Sequence, residues 1–298
     1  MRRRSPFAKA ELWLAAGLST LALGIGAAAL AIGFLTPATK IPAPLSPTRL
    51  PIGHETDLDL RTLTEPSAAP KRPIVAIVID DLGNNPDAAR RAIALPPQVA
   101  LAFLPYPSAT PALAQEAEQA GHDVLVHVPM EAVGAQDAGP MVLRTDLPAS
   151  ENLRRLAWDL SRVPGYSGIN NHEGSKFTAD APALAPLMPL LAGHHAFFFD
   201  SRTTAETQVV AVAESHGVLS AGRDVFLDDV PSASAIATQF CLLESKAKAN
   251  GVAIAIGHPN PVTLDAVGDW ARSEKSFFLV SLEQALEAKS HSLALARR

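Results

Sequence analysis

Along most of the chain, short apolar runs alternate with longer stretches whose apolar positions recur every three or four residues. The runs lie at 74–79, 99–104, 123–128, 196–199, 225–227, 252–256 and 277–280, with a shorter one at 168–170. They are rich in Val, Ile, Leu and Phe and mostly lack polar alternation, which predicts parallel strands covered on both faces. Between them, 151–163 places Leu153, Leu156, Ala157, Leu160 and Val163 on one helical face, with Ser150 as N-cap and Pro164 and Gly165 as the stop. The stretches 107–121, 181–193, 232–250 and 261–273 read as helices too. Strand–helix alternation over about 220 residues predicts an α/β fold, a distorted (β/α) barrel. A doubly wound open sheet is the alternative, but no glycine-rich phosphate loop follows the first run.

The N-terminal part departs from this alternation. Residues 12–35 are small or apolar apart from Ser19 and Thr20, and Arg2, Arg3, Arg4 and Lys9 precede them. That length and flank predict a membrane-spanning anchor with its basic end, residues 1–11, in the cytoplasm and the remainder outside. A cleaved signal peptide is the other reading, and both export the domain. In a bacterial inner membrane this means a single span with the domain in the periplasm. Residues 36–71 hold seven prolines among small and polar residues and read as a linker. The domain is then 72–290, with 291–298 as a tail.

Of the 298 residues, 48% are hydrophobic and 18% charged, which suits a sizeable core and excludes a disordered chain. The net charge is −5, and the first eleven residues carry +3, leaving −8 on the rest. An acidic domain without Lys/Arg clusters is a poor nucleic-acid binder. Cys241 is the only cysteine, so no internal disulfide exists.

Polar residues follow the apolar runs in a consistent way. Asp80 and Asp81 end the first; His127 ends the third, with Glu131 four residues on; Asn170, Asn171 and His172 follow 168; Asp200 and Arg202 follow 199; Asp228 and Asp229 follow 227, with Arg223 just before; His258 follows 252–257. In a parallel barrel these strand ends share one face. An Asp there often only caps the next helix, which is the plain reading of Asp200 and Asp229. The Asp80–Asp81 pair is different, because adjacent carboxylates repel and a cation stabilises them most simply. Carboxylate and imidazole ligands suit Zn²⁺, and also Ni²⁺, Co²⁺ or Fe²⁺, and such a centre with an open position suits hydrolysis of an amide or ester. No serine nucleophile elbow or Walker loop is present.

The ordered segments IVIDDLG (77–83), GHDVLVHVPME (121–131), GINNHEGS (168–175), FFFDSRT (197–203), RDVFLDD (223–229) and AIAIGHP (253–259) resemble the divergent polysaccharide deacetylase family. The resemblance implies a distorted (β/α) barrel, a divalent transition metal such as zinc, and a carbohydrate substrate of the cell envelope. It implies Asp80 as general base, Asp81 as ligand, His127 as the first histidine ligand and His258 as general acid. Asp200 would orient that histidine. The wider superfamily has a second His where Glu131 stands, so the third ligand is His172, preferred here, or Glu131. The superfamily's Arg-x-Pro-Tyr motif is missing, and Arg202 or Arg223 would pair with Asp80 in its place. Asn171 and Asp228 are further candidate contacts. The departures leave a second reading open, a catalytically silent carbohydrate-binding or envelope-assembly protein. A scaffold for a peptidoglycan-processing partner is the third.

Overall fold

The computed structural model describes residues 72–273 and 276–296; the expected anchor at 12–35 and the linker at 36–71 lie outside the described residues. Among the described residues no helix is long and apolar enough to cross a membrane. In chain order the elements are β1 (Ile74–Leu82), α1 (Pro86–Ile93), β2 (Ala100–Phe103), α2 (Thr110–Gln119), β3 (Val124–Met130), α3 (Ala149–Ser161), β4 (Gly168–Glu173), α4 (Ala181–Leu184) and α5 (Met188–Gly193). They continue with β5 (Phe197–Asp200), α6 (Val209–Ser215), β6 (Ser220–Gly222), β7 (Val225–Phe226), α7 (Ala233–Asn250), β8 (Val252–Gly257), α8 (Pro261–Arg272), β9 (Phe278–Leu279) and α9 (Leu282–Ala296).

All pairings between these strands are parallel, and the sheet order is β6-β5-β4-β3-β2-β1-β8-β7, with β9 added beside the start of β1. Neighbours in sequence are neighbours in the sheet, so the strands curl one way around an axis. A doubly wound sheet would reverse direction at a switch point. The curl does not close, because β6 and β7 do not pair.

Alternate residues serve two separate cores. Val75, Ile77, Ile79, Leu101, Phe103, Val124, Val126, Phe198, Ala253 and Ala255 face outward into the larger cluster with the surrounding helices. Ala76, Val78, Ala100, Ala102, Leu125, Phe197, Phe199, Ile254 and Ile256 face inward. Small side chains on β1 and β2 and large ones on β5 fill this interior together. Gly168 belongs to that fit, since a Cβ there would come 2.3 Å from the Phe197 ring. Leu282, Ala285 and Leu286 of α9 join the inner cluster beside residues from strand starts, closing the end opposite the polar strand ends. Burying each such leucine contributes about 1.5–3 kcal/mol.

Several expectations need correction. The helix expected at 181–193 is broken into α4, a 3-10 turn at Ala185–Leu187 and α5, because prolines recur at the first positions of each piece and remove backbone donors. Helix α3 begins at Ala149 with Pro148 at its N-cap and no side-chain cap, so Ser150 lies inside it. Its buried face is Asn152, Leu156, Asp159 and Leu160, leaving Ala157 exposed. Helices α1, α6 and α9 and strand β6 have no counterpart in the sequence expectations, and α9 runs through the boundary expected at 290.

Candidate metal centre

The inward alternation continues past the apolar part of each strand. Asp80 follows Ala76 and Val78, His127 follows Leu125, and Asn170 and His172 follow Gly168; Asp228 follows Phe226, and His258 follows Ile254 and Ile256. Asp81 has the wrong parity, and local backbone geometry compensates. Between Ile79 and Leu82 three steps on β1 match two on β2, from Leu101 to Phe103. This bulge, with Asp81 at φ 60°, turns a second carboxylate toward the same mouth. His127 stands level with Asn170 in the β3–β4 register, and Pro129 with His172, which sets the imidazoles one above the other on neighbouring strands.

Ligand-type atoms of Asp81, His127 and His172 all lie within 4.8 Å of one another. Asp81 Oδ1 is 3.2 Å from His127 Nε2 and 2.9 Å from His172 Nδ1, and the two nitrogens are 3.1 Å apart. Three atoms bound about 2.0–2.1 Å from a tetrahedral ion would be separated by roughly 3.3 Å, so the triangle has the right size. Asp81 Oδ1 is buried, yet among the described residues no donor is aligned with it.

The network behind His127 defines its proton. Asn170 Nδ2 lies 2.9 Å from Asp80 Oδ1, which only accepts, so the amide oxygen of Asn170 faces His127 Nδ1 at 2.9 Å. Nδ1–H therefore donates to Asn170, and neutral His127 presents a bare Nε2 toward Asp81 and His172. In that neutral form the lone pairs converge on one point and repel, and a divalent cation relieves this. The donor set fits zinc.

Charges follow the same geometry. Burial pushes the Asp80 carboxyl up, with adjacent Asp81 adding to the rise, while His127, His258 and the Asn170 amide oppose it. Burial would also raise Asp81, but contacts from His127 and His172 outweigh it and hold the group well below the usual carboxylate range. Burial works against charging His127, yet Asp80 and Asp81 carry its pKa up to about 9. A metal must displace that proton to bind.

Across the mouth, His258 Nδ1 lies 2.9 Å from Asp228 Oδ1 and donates to it, leaving Nε2 toward the cleft, 3.9 Å from Asp81 Oδ2. Asp228 Oδ2 accepts from the His258 backbone N–H and the Thr263 hydroxyl, both at 2.8 Å. Burial disfavours a charged His258, but the Asp228 hydrogen bond and the charges of Asp80, Asp228 and Asp81 raise its pKa. Asp228, not Asp200, holds this histidine. Asp200 shares the outward parity of Phe198 and accepts from the Arg202 N–H at 2.8 Å and the Thr207 hydroxyl at 3.0 Å.

Other candidates have different partners. Glu131 is outside the ligand group: it accepts from Thr145 N, Thr145 Oγ1 and Lys176 Nζ, each at 2.8 Å. Asn171 braces the rim, donating to Glu173 O and accepting from Ser201 N. Neither arginine forms the expected pair with Asp80 among the described residues. Arg223 donates to the carbonyls of Ser201 and Arg202 and lies over the Phe226 ring, while Arg202 lines the cleft. Asn170 is among the strand-end residues of the sequence, but its bridging role, and Ser201 and Thr263, were not foreseen. Parity beyond the apolar run was the available signal for Asn170 and Ser201, and none pointed to Thr263 on α8. The cleft encloses about 570 Å³ and is lined by Asp80, Asp81, His127, His172 and His258 among others.

Known proteins are similar to this chain in sequence or in fold. The chain is 36% identical over 205 residues to YibQ of Escherichia coli (strain K12), covering 69% of this chain and spanning 63% of YibQ. A Haemophilus influenzae protein is 36% identical over 190 residues, 64% of this chain and 68% of its own. The crystal structure of ATU2773 from Agrobacterium tumefaciens C58 superposes with a TM-score of 0.69 at 27% identity, covering 74% of this chain and 91% of that one. The sequence profile described as divergent polysaccharide deacetylase matches residues 77–286, and on that match the chain belongs to the divergent polysaccharide deacetylase family.

Proposed function

We propose that this protein is a metal-dependent hydrolase that removes an acyl group from an N-acetylated carbohydrate of the cell envelope. The observation that carries the reading is the convergence of Asp81, His127 and His172 within 4.8 Å beside a buried Asp80 and a hydrogen-bonded His258–Asp228 pair. Asp81, His127 and His172 would hold the metal, zinc being the best match to two imidazoles and a carboxylate. The bound metal supplies Lewis acidity toward the acyl oxygen and toward water.

The chain's own groups move the protons. Asp80, whose pKa burial raises, takes a proton from the water that adds to the acyl carbon. Asn170 fixes the Asp80 carboxylate from one side and the His127 ring from the other. His258, whose protonated form Asp228 favours, gives its Nε2 proton to the departing nitrogen as the C–N bond breaks, so acetate and a free amine leave. The apolar run at 12–35, read from sequence as an anchor or signal peptide, favours a site facing the periplasm, where envelope glycans are found.

The test is elemental analysis of the purified chain, coupled to acetate release from N-acetylated oligosaccharides. The wild type should hold about one transition-metal ion per chain and release acetate, and His127→Ala should do neither. Absence of a transition metal from both proteins overturns the reading.

A further inference from the structure

The unclosed seam between β6 and β7 holds a second cavity of about 430 Å³, lined by Arg202, Thr203, Arg223, Asp224 and Lys246 among others. It shares Arg202, Thr203, Arg223 and Asp224 with the metal-centre cleft, so the two adjoin. Three cations meet there in a chain whose net charge is −5. The one acid of the lining, Asp224, is already matched: its Oδ2 lies 2.6 Å from Lys289 Nζ and accepts from Ile254 N at 2.8 Å. Among the described residues neither Arg202 nor Lys246 has a carboxylate within 4.0 Å.

Arg223 is held in place, and the Arg202 backbone is constrained. Arg223 is pinned by two backbone carbonyls, at 2.8 and 3.1 Å, and by the Phe226 ring beneath it, 4.9 Å from the guanidinium carbon. Arg202 has φ 52°, a left-handed conformation that a residue with a Cβ adopts at a cost. Its side chain lies across Gly222, where a Cβ would come 2.7 Å from Arg202 Cδ. Burial, and after it the charge of Arg202, lowers the Arg223 pKa, while the carboxylates of Asp80, Asp200 and Asp224 oppose this. Three cations lining one recess whose single acid is already paired favour an anion there.

We propose that this seam is a subsite for an anionic substituent, a carboxylate or a phosphate, carried by the glycan that is deacylated at the metal centre. The inference rests on the hydrolase reading for its substrate, but its recognition step is separable from the chemistry. It assigns the protein an acidic, not a neutral, polymer.

Calorimetry on the purified full-length chain tests it, with neutral N-acetylchitotetraose compared to two acidic N-acetylated probes, a hyaluronan tetrasaccharide and a muramic acid-containing tetrasaccharide. At least one acidic probe should bind about tenfold more tightly than the neutral one, with the gap narrowing as salt rises. Lys246→Gln, a change on α7 away from the metal ligands, should cut acidic affinity by about three- to tenfold and leave neutral affinity alone. Arg202→Gln should cut acidic affinity at least as far. Acidic preference without acetate release would keep the subsite and remove the hydrolase reading. Acetate release with equal affinities for all probes, unaffected by Lys246→Gln, would do the reverse. Binding of inorganic phosphate at the seam without any preference among the glycans would also overturn the proposal.

Discussion

The ends of β1 and β5 look alike in sequence, an apolar run closing on aspartate, yet they do different work. Asp80 continues the inward row of Ala76 and Val78 and is buried facing His127, 3.8 Å away. Asp200 continues the outward row of Phe198 and ties down its own loop through Arg202 N and Thr207 Oγ1. One residue of parity separates a candidate proton acceptor from a loop brace. A bulge changes the outcome again by bringing Asp81, of opposite parity, into the same mouth. Position at a strand end is thus a weaker predictor of chemistry than the side of the sheet on which the alternation places the group.

The largest test of this contrast is Asp80→Asn, which keeps the shape and the Asn170 contact but removes the base. The rate of acetate release should fall by about 10²–10⁴-fold while metal content stays unchanged. Loss of the metal as well would make Asp80 a ligand.

A second buried carboxylate sharpens the comparison through pH. Asp159 on α3 is fully buried, neither of its carboxylate oxygens has a hydrogen-bond partner among the described residues, and burial pushes its pKa up to about 8, opposed by Arg155. A raised carboxyl binds its proton more tightly in the folded chain. Its stabilising contribution is therefore complete below about pH 4 and is lost as pH rises toward 8. Denaturant melts at pH 5 and pH 8 should show the wild type losing about 2–4 kcal/mol more than Asp159→Asn over that interval. His127 titrates in the same direction in the metal-free chain, so the difference between the two proteins is the informative quantity.

Asp228→Asn should lower turnover by about ten- to a hundredfold with little change in KM. It should also move the alkaline limb of the pH profile downward, because the charge that raises His258 is gone. An unmoved limb would remove Asp228 from the positioning role. The smallest effect belongs to Asp200→Asn: metal content unchanged and a stability loss of about 1 kcal/mol, since an amide still serves both of its partners. A loss of turnover rivalling that of Asp80→Asn would restore Asp200 to the chemistry.

Much of this was legible beforehand. The runs of Val, Ile and Phe located eight of the nine described strands, and the polar groups at their ends supplied Asp80, Asp81, His127, His172 and His258. What failed did so for identifiable reasons. Proline recurrence within 181–193 was outweighed by its apolar content, so a broken segment read as one helix. Helix α1 is short and polar, and its start is marked mainly by the Asn85 side chain accepting from the N–H groups of Asp87 and Ala88. Asp228 was ranked below Asp200 because resemblance to a motif was followed in preference to alternation. The partners of Glu131, Thr145 and Lys176, depend on how two loops fold over it, and spacing alone carries no information about that.

The seam has one more consequence. A curled sheet left open exposes two borders whose unpaired amides could recruit a strand from another molecule. Here those borders are β6 and β7, three and two residues long, and Lys289 from α9 reaches the Gly222 carbonyl at the end of β6. Stubs of that length offer too few backbone groups to seed intermolecular pairing. The opening can therefore persist without making the protein prone to aggregate.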